Sequence, residues 1–535
     1  MRAQVRFPSP PPQPGHHPAV VVGGGLVGLT LALDLAQRGV RVVVLDDDDC
    51  VSIGSRAICM AKRSLEIFGR LGLGRRMLEK GVQWNTGRVF LRDRELFDFD
   101  LLPEAGHEYP AFINLQQYYA EEWLVEACVA TDLVDLRWKH AVTHIENRQD
   151  GATLQVSTPG GDYELSADWL LACDGANSLV RRAMNLPFTG KIFRDRFLIA
   201  DIVMQAPLHG ADYPSERRFW FDPPFHPNQS ALLHKQPDDV WRIDLQLGWD
   251  TDPDEERKPE RVIPRVQAML GPDASFELEW VSIYTFRCRR LERFVHGRVV
   301  FVGDSAHQVS PFGARGGNGG IQDADNLAWK LAAVLQGQAS AALIGTYDDE
   351  RVPAADENIL HSTRATDFIT PKTPAARAYR DAALLLAQEH PFARAMVNSG
   401  RLSRPCVLPI DADTDDWPGA PPPGSAAIDA PILEDGRQTW LLNRLGHHFT
   451  VLVMAGHVPV THAVPQAPAD GVHVVQLSPA QDPTGLVAAR YALTEGACIL
   501  FRPDQHVAGV FHRFDPARIA RAIDAAMGAR QHAPA

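Results

Sequence analysis

A glycine triplet near the N-terminus limits what this chain can fold into more than any other feature. Val20-Val21-Val22 is a β-branched run, and Gly23-x-Gly25-x-x-Gly28 follows it directly. An apolar helical pattern then runs from Leu26 to Arg38, and Arg41 to Leu45 is a second apolar strand ending in Asp46. Strand, glycine turn, helix and strand in this order make a strand–helix–strand unit. The first glycine permits the tight turn, the second lets the backbone approach a pyrophosphate, and the third lets helix and strand pack closely. Unsatisfied N–H groups and the macrodipole at the helix start favour an anion there. Asp46, about 20 residues on, stands where a carboxylate takes ribose hydroxyls. A glycine turn packed for shape would also explain the triplet alone. The strand, helix and acid together point to a dinucleotide.

Two later strands deliver acids in the same manner. Trp169 to Ala172 leads into Cys173-Asp174-Gly175-Ala176-Asn177-Ser178 and a helix. Asp-Gly at a strand end is by itself an ordinary turn. Arg298 to Phe301 leads into Val302-Gly303-Asp304-Ser305-Ala306-His307, which places a carboxylate where it can hold a polyol hydroxyl. A glycine-rich run from Pro311 to Gly320 follows, then a long helix starting near Ile321, where Ile321, Ala324, Leu327, Ala328, Leu331, Val334 and Leu335 keep helical spacing. The first amides of that helix lack intrahelical acceptors and suit an anionic ring edge.

The fold class is α/β: a Rossmann-like domain, an inserted antiparallel sheet and a C-terminal α/β domain. The 535 residues allow three or four domains at about 100–200 residues each. Residues 1–18 read as a loose, proline-rich tail without the apolar core of a signal peptide. Residues 19–190 and 288–404 form the dinucleotide domain, with helices expected over Ser64 to Glu79 and Tyr118 to Cys128. Residues 191–287 form the inserted sheet, 405–424 a linker rich in Asp, Pro and Gly, and 425–535 the last domain. A net charge of −13 without a long Lys/Arg run argues against nucleic acid. The most apolar early stretch, Val20 to Leu35, is broken by four glycines and carries Asp34, so no membrane span is expected. Cysteines at 50, 59, 128, 173, 288, 406 and 498 are isolated, so neither a disulfide framework nor a metal site is expected.

The three motifs, in this order and spacing, resemble those of the single-component FAD-dependent aromatic hydroxylases, the group of para-hydroxybenzoate hydroxylase and 3-(3-hydroxyphenyl)propionate hydroxylase. The likeness runs from Ala19 to about Gly528. It implies non-covalent FAD, with Gly23, Gly25 and Gly28 at its ADP part and Asp46 at the ribose. It places Asp174 and Gly175 at FAD and a visiting NADPH or NADH, Gly303 and Asp304 at the ribitol, and Gly317 and Asn318 at the isoalloxazine. Arg56 corresponds to an arginine near the FAD phosphates, Gln117 to a glutamine near the flavin, and Pro311 to a proline beside it. The implied reaction is hydroxylation of a small phenol by O2 through a flavin C4a-hydroperoxide, in a cytoplasmic homodimer. FAD-dependent oxidation of a non-aromatic substrate, or a binding role without turnover, are the alternatives.

Candidate substrate residues come from the inserted sheet: Trp220, Phe221, His226, His234, Gln236 and Arg242. His226 and His234 are candidate bases toward a phenol. A histidine on an apolar sheet is equally a core group, and the aromatic residues are equally core. The tail resembles the thioredoxin-like C-terminal domain of larger family members through Pro423 to Pro431, Phe449 to Met454 and Phe501-Arg502-Pro503-Asp504. Ala455-Gly456-His457-Val458 stands where a CxxC would be, so that domain is expected to be redox-inert.

Overall fold

The computed structural model describes residues 5–206, 215–397, 404–455 and 471–528. Its first sheet is built from the short apolar runs. Gly15–Val22 lies parallel to Val42–Asp46 on one side and to Tyr163–Ala172 on the other. Val299–Phe301 adds parallel to Tyr163–Ala172, and Val134–Trp138 adds beyond Val42–Asp46. Parallel strands covered on both faces read as continuous apolar runs. Val20, Val21, Leu170, Leu171, Val299 and Val300 are accordingly buried. The helices Leu26–Gln37 and Gly316–Leu335 pack against each other and onto this sheet. No helix among the described residues is long and apolar enough to cross a membrane.

The second sheet has eight strands, and five of them come from residues 189–290: Thr189–Met204, Arg217–Phe221, Ser230–Lys235, Val240–Leu247 and Phe276–Arg290. These pair antiparallel with their neighbours in this set. The expected boundary at 191 needs correction, because a hairpin from the first segment joins the sheet, as does the short strand His307–Gln308 from the second. Thr86–Leu91 pairs antiparallel with Arg94–Asp100 and parallel with Arg217–Phe221. Its alternating pattern matches a strand with one face covered, and Val89 and Phe97 supply the apolar cover. Side chains alternate along Arg217–Phe221. Phe221 joins the cluster of Val89 and Phe97, whereas Trp220 belongs to the cluster of Leu233 and Trp241 on the other face.

Three further expectations are corrected. The tail is packed: Phe7 stacks on Trp138 at 4.7 Å, Arg6 pairs with Asp49 at 2.8 Å, and the first strand already begins at Gly15. The helix expected over 64–79 is two helices, Lys62–Arg70 and Gly74–Lys80, because Gly72 takes a left-handed conformation with φ of 84°. The segment 405–424 is docked rather than free: Cys406 and Leu408 are buried, and Asp415 N–H donates to Val510 O at 2.9 Å.

The last domain is a four-stranded sheet. Thr450–Met454 pairs parallel with His473–Leu477 and antiparallel with Cys498–Phe501, and Val507–Phe511 closes the edge. The helix Pro516–Ala526 shares an apolar cluster with Trp329, Ala333 and Leu343 of the first domain. Gly456, His457 and Val458 lie outside the described residues.

Candidate functional site

The three motifs meet because their strands are neighbours. Cys173 N–H donates to Val22 O at 2.9 Å and Val302 N–H to Ala172 O at 3.0 Å, so Gly23, Asp174 and Gly303 emerge together at the carboxyl ends of adjacent parallel strands. Open α/β sheets bind ligands at that edge.

Gly24 N–H donates to Asp46 Oδ2 at 2.5 Å and Asp48 N–H to Oδ1 at 2.8 Å. Burial nevertheless pushes the Asp46 carboxyl up to about 6. Behind the glycine turn, Glu121 fixes the helix start. Its Oε1 accepts from Leu26 N–H at 3.0 Å, and its Oε2 accepts from Ser52 N–H at 2.7 Å. Gln117 reinforces it, donating to Glu121 Oε1 at 2.8 Å and accepting from Ala57 N–H at 3.1 Å. Gln117 thus fastens the 52–57 loop to the helix Gln117–Val129. The anchoring role of Glu121 was not foreseen, although its i,i+4 spacing from Gln117 is a visible signal. Arg56 is exposed, with φ of 44°, and its carbonyl accepts from Arg242.

Asp304 sits half-buried on a short turn, and no described residue hydrogen-bonds its carboxylate. Burial raises its pKa, against the pull of His307. The turn is held from behind by Asp323, which accepts from Gly303 N–H at 3.1 Å, His307 Nε2 at 2.6 Å and Arg351 Nε at 2.7 Å. Burial works against ionisation of Asp323, but His307 and Arg351 outweigh it and hold its pKa down to about 2. Asp174 Oδ2 accepts from Val180 N–H at 3.0 Å, and its other oxygen is buried without a partner among the described residues.

The long helix begins at Gly316 rather than near Ile321. Glycines contribute no periodicity, so its first turn was invisible in the sequence pattern. Gly317 and Asn318 therefore lie in that turn, where N–H groups lack helical acceptors. The Asn318 side chain is fully engaged, donating to Cys59 O at 2.8 Å and accepting from Ala61 N–H at 2.9 Å and Ser64 Oγ at 2.7 Å. Two helix starts offering N–H groups, with Asp46, Asp174 and Asp304 as acceptors, fit a dinucleotide carrying a polyol. The isoalloxazine would face backbone, not the Asn318 side chain.

Beside the start of this helix opens a cavity of about 630 Å³. The turn Phe312 to Arg315 forms one wall, and Phe99, Phe219 and Phe221 of the second sheet form another. The helices Gly345–Ile369, Pro374–Glu389 and Pro391–Val397 cover the remainder, through Phe368, Tyr379 and Met396 among others. Pro311 is exposed at the turn, and its carbonyl accepts from Ala314 N–H at 3.0 Å.

Of the substrate residues expected from sequence, Phe221 lines this cavity, but Trp220, His226, His234, Gln236 and Arg242 do not. Trp220 points to the opposite face and stacks on Phe90 at 5.1 Å. His226 lies in a turn with Nε2 2.6 Å from Gln246 O, and burial lowers its pKa. His234 is buried 3.2 Å from Asp244 Oδ2, off the line of a hydrogen bond. Burial, aided by Arg217, lowers it to about 4, so it is a poor base at neutral pH. Gln236 Nε2 lies 3.5 Å from Asp201, and Arg242 pairs with Asp244 at 3.0 Å. The cavity residues Trp84, Arg217 and Arg364 were missed, because nothing in their local sequence separates them from ordinary strand and helix positions.

Residues 16–362 match the FAD binding domain family, FAD_binding_3. A flavin-dependent monooxygenase of Mycobacteroides abscessus is 28% identical over 507 residues, covering 91% of this chain and 96% of that protein. A para-nitrophenol 4-monooxygenase of Pseudomonas sp. strain WBC-3 is 30% identical over 340 residues, covering 62% of this chain and 82% of that protein. The crystal structure of the flavin-dependent monooxygenase PieE, in complex with FAD and substrate, superposes with a TM-score of 0.82 over 97% of this chain and 100% of that one. At 22% identity that likeness shows the shared fold. The glycine turn, the two acidic strand ends and these relatives agree: the chain belongs to the family of single-component FAD-dependent aromatic hydroxylases.

Proposed function

We propose that the enzyme hydroxylates a phenolic ring held in the 630 Å³ cavity, taking electrons from NADH or NADPH and one oxygen atom from O2. One observation carries the reading. The turn that forms a cavity wall, Phe312 to Arg315, leads directly into the helix start that would face the flavin, and aromatic side chains stand opposite. Substrate ring and flavin edge would therefore share one space. Relatives bear names consistent with this, among them 6-methylpretetramide 4-monooxygenase of Streptomyces rimosus.

Bound FAD supplies the redox chemistry and the activation of oxygen. The protein's part is to bind, orient and exclude water. Gly23, Gly25 and Gly28 admit the pyrophosphate to the helix start, with Arg56 near the phosphates. Asp46 takes the ribose and Asp304 the ribitol, while Asp174 and Gly175 serve FAD and the visiting nicotinamide nucleotide. The N–H groups of Gly317 and Asn318 offset negative charge on the flavin edge. Phe99, Phe219 and Phe368 keep the cavity dry. Arg217, Arg315, Arg364 and Arg380 against Asp367 give the wall a positive balance that favours phenolate over phenol. The last domain is read as thioredoxin-like and structural, a reading supported by its parallel pair with two antiparallel strands on one side. All seven cysteines are free, which fits a reducing cytoplasm.

The test is labelled dioxygen with a panel of phenols and NADH or NADPH. One labelled atom should appear in the product and the other in water. Consumption of the nicotinamide to peroxide alone, with every phenol, would favour an oxidase instead.

The Asp46 role has a pH signature. In the free protein its carboxyl titrates near 6, and binding ribose hydroxyls needs the ionised form. Above that pH the group is ionised in both states, so FAD affinity is flat. Below it, binding must release a proton, and the FAD dissociation constant should rise by up to about tenfold per pH unit. Fluorescence titration of apoprotein with FAD between pH 4.5 and 8 should show this limb, and Asp46→Asn should lose the part centred near 6. An unchanged profile in Asp46→Asn would exclude the role.

A further inference from the structure

Native interiors leave few buried donors unpaired, so two such donors on one cavity wall mark a place for a ligand acceptor. Arg217 Nε and the Trp84 indole Nε1 are both buried and both lack a hydrogen-bond partner among the described residues. Both side chains line the cavity, and the Arg217 guanidinium lies 5.5 Å from the Trp84 ring centre and 5.1 Å from that of Phe219. The hydrogen bond that Arg217 does make is weak, from Nη1 to the Cys59 thiol at 3.5 Å.

No carboxylate among the described residues neutralises Arg217. Asp244 is taken by Arg242 at 3.0 Å, and Glu216 is held by Arg88 and Arg218. The other buried cations of the wall have stronger polar partners. Arg380 pairs with Asp381 at 2.8 Å, and Arg315 donates to Asn358 at 2.8 Å. A guanidinium without a counter-charge, set among aromatic rings, is unfavourable until an anion arrives. Two donors from two groups match the two oxygens of a carboxylate. Size adds a second constraint. A cavity of about 150 Å³ suffices for benzene, and those of about 300–1,000 Å³ take drug-sized ligands. At about 630 Å³ the cavity has room for an occupant of more than one ring.

We infer that the substrate is a multi-ring aromatic acid whose carboxylate is received by Arg217 and Trp84. The inference rests on the hydroxylase reading for what the cavity does, but its test reads binding alone. FAD-loaded enzyme is titrated with 1-hydroxy-2-naphthoate, 1-naphthol and salicylate by calorimetry. The two-ring acid should bind more tightly than either the neutral naphthol or the one-ring acid. Arg217→Gln should weaken the two-ring acid roughly 10- to 100-fold, the factor expected from one charge-assisted hydrogen bond, with naphthol unchanged. Trp84→Phe keeps the ring and loses the donor, and should weaken the acid by at least about fivefold, again sparing naphthol. Trp84→Phe also keeps the question open to test should Arg217→Gln fold poorly. Wild-type enzyme that binds none of the three, or variants that keep the wild-type preference for the acid, overturn the inference. Salicylate binding as tightly as the two-ring acid overturns its multi-ring part. Failure of the hydroxylase reading would show separately, as binding without labelled product.

Discussion

Gly28→Val should yield no folded protein carrying FAD, whereas Gly25→Val should fold and stay colourless. The two positions belong to one triplet, but the space around them differs. A Cβ at Gly28 would stand 2.0 Å from Gly23 O, 3.1 Å from Val21 Cγ1 and 3.2 Å from Cys173 Cβ. The nearest obstacle is backbone of the turn itself, so helix and strand must part for any side chain to enter. Overpacking typically costs about 1–3 kcal/mol where side chains can adjust, and here a carbonyl must move. A Cβ at Gly25 meets nothing nearer than Glu121 Oε1 at 3.6 Å. The protein alone therefore tolerates it. What the branched side chain occupies is the approach of a phosphate to the helix start, where each charge-assisted hydrogen bond lost costs roughly 1.5–3 kcal/mol. Circular dichroism and flavin absorbance on both variants separate the cases. Full FAD occupancy in Gly25→Val would show that the pyrophosphate lies elsewhere.

The sequence made the parallel sheet legible wherever burial on both faces compresses a strand into an apolar run. Val20 to Val22, Trp169 to Ala172 and Val299 to Val302 all fall in that class. Each ends in a glycine or acidic motif, so the cofactor edge was legible too. The first turn of the long helix was not, since Gly316, Gly317, Gly319 and Gly320 carry no side chain to show a period. Pairing between segments was also out of reach. Nothing local in Thr86 to Leu91 says that it will lie beside Arg217–Phe221, yet that pairing brings Trp84 near Arg217. The histidines were the natural candidates for a phenol base, and sheet geometry put them elsewhere. His226 is engaged by backbone in a turn, and His234 is buried beside Asp244. Helices 374–389 and 391–397, which cover the cavity, present an ordinary amphipathic pattern that does not announce a lid.

Ending the chain near Pro409 should abolish folding of the FAD-binding part, not merely loosen it. The expected inert domain is tied to the rest through buried charge. Arg502 donates to both oxygens of Glu350 at 2.8 and 2.9 Å, and Arg63 donates to Asp504 O at 2.6 Å. Lys330 Nζ lies 2.9 Å from Glu350 Oε1, and Arg63, Lys330, Glu350, Arg502 and Asp504 are all buried. Burial opposes ionisation of Glu350, but Arg502 and then Lys330 outweigh it and hold its pKa down to about 2, against 4.5 ordinarily. With a depressed folded value, this contribution is complete above pH 4.5 and fades as pH falls toward 2. Truncation strands Glu350 without Arg502 and uncovers Trp329, Ala333 and Leu343 together. Breaking one buried pair costs about 3–5 kcal/mol, against a total stability of about 5–15 kcal/mol. The full-length variant Arg502→Met should therefore lose about 3–5 kcal/mol in urea unfolding at pH 7. Replacing both partners, Arg502→Met with Glu350→Met, should not recover that loss, because Lys330 then loses Glu350 and Asp504 loses Arg502. Arg518, which joins Asp413 and Asp415 near the surface, is the control, and Arg518→Ala should stay within about 1 kcal/mol of wild type. A truncated chain that folds, loads FAD and melts with the full-length protein would show that the domain interface is dispensable.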